Sequence, residues 1–206
     1  MALLLVWANF SVAVAQRINF STWTGSSDIV ITQVAGQTGN MNFAGKNGGK
    51  RNFLVPGSAQ VKIEMEDAQA AIFRIDAPSG FEITVELTAP SALTLPGSTP
   101  LESIPLILNM AYSNDAANHG TGFPNPKQAV LVPQGFNAVT FPITKRSASG
   151  PPLPPRIAFG DGNGGMSRDK SSAFVFIYGA FGPVPADASA GTYTANVVLS
   201  VYATAN

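Results

Sequence analysis

Apolar and polar residues alternate with a period of two along most of the chain, the signature of strands with one face buried and one face wet. The longest such run closes the sequence. From Gly191 to Ala203 it carries Tyr193, Ala195, Val197, Leu199 and Val201 on one face. The other face holds Thr192, Thr194, Asn196, Ser200 and Tyr202, with Val198 the apolar exception. A second clean run places Phe81, Ile83, Val85 and Leu87 inward against Glu82, Thr84 and Glu86. Just before it, Ala71, Phe73 and Ile75 alternate with Arg74 and Asp76. The turn residues Pro78-Ser79-Gly80 between these two runs predict a hairpin. Shorter strands are expected at Arg17–Ser21, Asp28–Gln33, Met41–Phe43, Ala59–Met65, Val130–Val132 and Phe136–Thr144.

Two segments break the alternation by being apolar on both sides. Leu101–Tyr112 and Ser172–Phe181 read as strands buried on both faces, and Pro105 inside the first lacks a ladder donor, which predicts an edge or bulge there. No stretch longer than about ten residues combines a helical apolar period with caps and good helix formers. The pattern therefore predicts an all-β fold, an antiparallel sandwich of about nine or ten strands, with long loops. Residues 113–127 and 145–172 are those loops, both rich in Gly and Pro, and they are the expected places for partner contacts.

The first fifteen residues read differently. Ala2–Ala8 is apolar and Ala13-Val14-Ala15 precedes Gln16, which resembles a secretory leader with its cleavage site. The expected organisation is a leader over 1–15, an N-terminal extension over 16–27 and one β domain over 28–206, with the protein secreted to the extracellular space or cell surface.

Composition narrows the function. The chain has 206 residues, no cysteine, and 12 basic against 12 acidic residues. A disulfide framework, a thiolate metal site and a cysteine nucleophile are excluded. Net neutrality removes the basic footprint of a nucleic-acid binder. Charged residues are 12% of the chain, about half the ~25% usual in soluble domains. Such a surface is weakly protected against self-association.

Candidate chemistry is sparse. Gly45–Lys50 resembles a phosphate loop, but its spacing is too short and Arg51 stands where a magnesium-binding hydroxyl belongs. Asp161, Asn163 and Asp169 supply oxygen ligands of the kind calcium takes, without the closing Glu of an EF-hand. They are a weak calcium candidate beside the simpler reading of a Gly-rich turn. His119 is the one histidine, and no serine lies in a nucleophile-elbow pattern that would pair with it. Glu82 and Glu86 share a strand face about 13 Å apart at ~3.4 Å per residue, too far for a glycosidase pair. Glu64 and Glu66, with Lys62 beside them, read as a solvent face. The chain is read as a non-enzyme with no cofactor.

Three local patterns together resemble the secreted bacterial family called domain of unknown function 4402. They are Ile29–Gln33 followed by Met41-Asn42-Phe43, the strands around Phe73-Arg74-Ile75 and Phe81–Val85, and the ending. That ending is Ile177–Phe181, a Pro/Ala segment, then Ala190–Thr194 leading into Val197–Tyr202. The resemblance spans most of residues 28–203, with longer loops, Ala44 before Gly45 and an extra stretch before Ser27 as departures. The Gly-Thr-Tyr-Thr opening of the last strand is also similar to fimbrial subunits and spore-coat-U-like proteins. The resemblance implies an exported immunoglobulin-like sandwich at the cell surface, with no catalytic residues. Fimbrial subunits join by donating an N-terminal strand to a neighbour's groove. Here residues 16–24 are the candidate donor, with Ile18, Phe20 and Thr22 as its pocket-filling positions; the alternative is that the segment is the domain's own edge strand or a frayed terminus. If the leader is retained, Val6–Val14 takes that role. The expected function is a structural subunit of a filament, pilus or coat, with itself or related subunits as partners. The alternative is a monomeric adhesin binding host or matrix glycans, or a protein, through the two loops, with Phe123 as a stacking aromatic.

Overall fold

The computed structural model describes residues 14–34, 40–41, 56–78, 80–114, 125–143, 157–158, 167–168 and 170–204. Their strands are β1 (Val14–Thr24), β2 (Val30–Gln33), β3 (Asn40–Met41), β4 (Val61–Ile63), β5 (Ala71–Pro78), β6 (Glu82–Thr88) and β7 (Ala92–Thr94). Then come β8 (Ser103–Ser113), β9 (Val130–Leu131), β10 (Ala138–Pro142), β11 (Ile157–Ala158), β12 (Ser167–Arg168), β13 (Lys170–Phe181) and β14 (Gly191–Ala203). The one helical element among the described residues is a single 3₁₀ turn at Pro126–Gln128. The protein is all-β, and the expected sandwich is what the structure shows.

One sheet centres on β14, flanked by β1 on one side and by β6 and β7 on the other, with β10 beyond β6. The other centres on β13, flanked by β8 on one side and by β5 and β4 on the other, with β2 beyond β5. The inward faces meet in one core. Tyr193, Val197, Leu199 and Val201 come from β14, and Phe73 and Ile75 from β5, with Val175 and Ile177 from β13. Tyr112 of the second sheet stacks on Phe141 of the first with ring centroids 4.2 Å apart. The inward side chains of β14 are all buried, as its alternation requires.

β8 belongs to both sheets. Residues Ser103–Pro105 pair with β7, and Leu106–Ser113 pair with β13. The change of partner falls at Pro105, where a missing N–H leaves no ladder bond unmade. Its carbonyl accepts the Gly182 N–H at 2.9 Å. The prolyl break expected in this strand is thus the corner at which it leaves one layer for the other.

The expected hairpin between β5 and β6 is corrected. β5 pairs with β2 and β13, and β6 pairs with β10 and β14, so the two lie in opposite sheets. The turn between them bridges the layers, and the Gly80 N–H is held by the Ile143 carbonyl at 2.9 Å. Alternation reports which face is inward, and two strands facing the same core from opposite sheets satisfy it as well as a hairpin does. The expectation of two-sided burial holds for β13. Its outer Phe174 and Phe176 are buried with Ile72, Ala111 and Val34 in a second cluster behind the sheet. It fails for the first half of β8, where Ile107 is 46% exposed. That side chain stands on the outer face between the short stretches covered by β7 and β9.

Candidate functional site

The N-terminal strand makes the most unusual pairing in the fold. β1 runs parallel to β14 over its whole length, from Val14 opposite Gly191 to Thr24 opposite Val201. The other ladders among the described residues are antiparallel. A parallel pair cannot be closed by a tight turn. Here the partners come from opposite ends of the chain.

β1 is amphipathic in the way its sequence suggests, and it fills its own domain. Ile18 is fully buried in the core. Phe20 packs beside it, edge-on to Phe73 with centroids 5.4 Å apart. Thr22, the third position of the candidate donor set, is exposed and fills no pocket. On the outer face, the Asn19 amide donates to Asn196 Oδ1 at 3.1 Å, and the Ser21 hydroxyl donates to the Val197 carbonyl at 3.4 Å. Among the described residues, β3 pairs with the far edge of β1 at Ile18 and Asn19.

The strand ends abruptly. The Gly25 N–H donates to the Val201 carbonyl at 2.9 Å. A Cβ at position 25 would lie 2.9 Å from Cβ of Tyr202, so only glycine lets the chain turn away there. The Ser26 hydroxyl and carbonyl then cap a short turn by accepting from Asp28 N–H and Ile29 N–H, and the chain enters β2 in the other sheet. β1 is therefore joined to the next strand through one short link.

The start of β14, against which β1 begins to pair, is fixed by a carboxylate clamp. Glu102 accepts from the Tyr193 hydroxyl at 2.6 Å, from the Ser189 hydroxyl at 2.6 Å and from the Ser189 N–H at 2.8 Å. Glu102 is itself held by its turn, because its N–H donates to Ser98 Oγ and its carbonyl accepts from Leu95 N–H. The hydrogen bond from the Ser189 side chain, then that from Tyr193, lowers the Glu102 carboxyl below its ordinary range. Burial, reinforced by the bond to Glu102, pushes the Tyr193 phenol up to about 12. Gly191 presses on the same turn: a Cβ there would lie 2.4 Å from Leu95 Cδ1.

Sequence reasoning found Tyr193 as a core position and missed Glu102. The signal was present, since a buried tyrosine hydroxyl needs an acceptor. The calcium candidates Asp161, Asn163 and Asp169 lie outside the described residues, as do Gly45–Lys50, His119, Phe123 and most of both long loops. Glu82 and Glu86 stand on β6 opposite Pro142 and Ala138. Among the described residues no group of three or more His, Cys, Asp or Glu side chains is placed to hold a metal. No helix among them is long and apolar enough to cross a membrane. No family model matches the chain, and no curated protein matches it.

Proposed function

We propose that the protein is a structural subunit of an extracellular filament, pilus or surface coat, whose copies join by exchanging β1. The observation that carries this reading is the seam itself. An N-terminal strand supplies Ile18 and Phe20 to the core, is paired along one whole edge, and is tethered by a single short link. The same strand from a second copy makes the same contacts, so exchange costs no packing. Closure within one chain is favoured by a high effective concentration, so joining responds to protein concentration. The low charge content and the resemblance to the 4402 and fimbrial-type families support an assembling surface protein, and the apolar leader pattern supports export.

Deleting residues 16–24 tests it. The shortened protein should form no polymers by electron microscopy, and a synthetic peptide of residues 16–24 should bind it and restore its thermal stability. The same peptide carrying Ile18→Asp should not bind, because an unpaired carboxylate would enter the core. Filaments that persist unchanged after the deletion would falsify strand exchange.

A further inference from the structure

A groove of about 460 Å³ opens on the side of the sandwich away from β1, where β8 leaves β7 and has not yet met β9. Leu87 and Met110 form its apolar walls, and Phe136 stands on its rim, 69% exposed. Its volume falls in the range of small-molecule sites, roughly 300–1,000 Å³.

The floor of the groove carries a main-chain donor and acceptor that pair with no described protein group. Along an antiparallel strand, successive residues point their N–H and C=O groups to opposite sides. The Pro105 carbonyl faces β13, where it accepts from Gly182. Leu106 N–H faces the other way, to the Ser91 carbonyl at 2.8 Å, and the Met110 carbonyl also faces that way, to Val132 N–H at 3.0 Å. Leu108 has the same parity as both. It sits opposite Gly179 with its N–H and C=O turned into the groove, and no described protein group bonds to them.

The remaining lining decides what fits. Asn109, Gln134 and Asn137 contribute neutral amides, and no charged side chain lines the groove. A charged ligand would find no counter-ion. A wholly apolar ligand would bury the Leu108 groups unpaired, which is unfavourable. An added peptide strand needs pairing at successive alternate residues, but Leu106 and Met110 are already taken on either side. A hydroxyl both donates and accepts, and a pyranose presents an apolar face that stacks on an aromatic ring. We infer that this groove binds a neutral saccharide, whose hydroxyls bond to Leu108 and the amides while a sugar face stacks on Phe136. The inference is independent of strand exchange.

The test is an NMR titration of the full-length ¹⁵N-labelled protein with maltose, cellobiose and lactose. At least one sugar should shift the Leu108 and Asn109 amides and residues 134–137, with a dissociation constant near ~1 mM. Phe136→Ala, a change at an exposed side chain, should weaken that binding about tenfold and leave the melting temperature unchanged. Three results would overturn the inference: no shift at Leu108 with any of the sugars, binding indifferent to Phe136→Ala, or shifts at Leu108 produced only by a capped Val-Thr-Val-Thr peptide.

Discussion

Glu102 and Tyr193 hold the start of β14 by a bond whose two ends titrate far apart. The folded state keeps the Glu102 carboxyl below its ordinary value of 4.5. Its contribution to stability is therefore full above that value and is lost as the pH falls through the lower folded one. Tyr193 is displaced the other way, so its contribution is full below pH 10 and is lost as the pH rises toward about 12. Ultraviolet titration of the phenols should show a step near pH 12, and Tyr193→Phe should remove it. The same substitution should lower the melting temperature by roughly 2–4 °C at neutral pH, the effect of one net hydrogen bond in a domain of this size. Glu102→Gln should flatten the acid limb of the melting-temperature profile, because the amide does not titrate.

Single strands show what alternation does and does not encode. β14 was legible down to its inward side chains, since every second residue is apolar and each of those is buried. β5 and β6 were legible as strands with the correct inward faces, yet their partners were not, because the same inward sets serve a hairpin and a corner equally. The Pro105 break was visible in the sequence, but its consequence depended on which strands flank it, a long-range fact. Glu102 escaped notice inside an otherwise apolar run because its role comes from residues 87 and 91 positions further on. The β13–β8 ladder carries its own requirement. A Cβ on Gly179 would lie 2.1 Å from the Ile107 carbonyl oxygen, a backbone atom with no room to yield. Gly179→Ala should therefore force the two strands apart and cost about 3 kcal/mol, the upper part of the overpacking range, measured as a lowered denaturant midpoint.

At the scale of the whole molecule, the two sheets are tied by β8, which pairs in both, and by the corner at Gly80. The parallel β1–β14 seam then decides how the protein bears load. The N-terminal end of β1 lies beside the start of β14, while β14 leaves the domain at the opposite end, past Val201 and Ala203. Pulling the chain by its two termini therefore drags these strands past each other lengthwise, and the rungs of the ladder share the tension instead of breaking one at a time. Single-molecule stretching between the termini should meet a higher rupture force than stretching between cysteines introduced at positions 14 and 191, which peels the seam from one end. The native chain has no cysteine to compete with such handles. A seam oriented this way is a mechanical lock along the chain and a zipper across it.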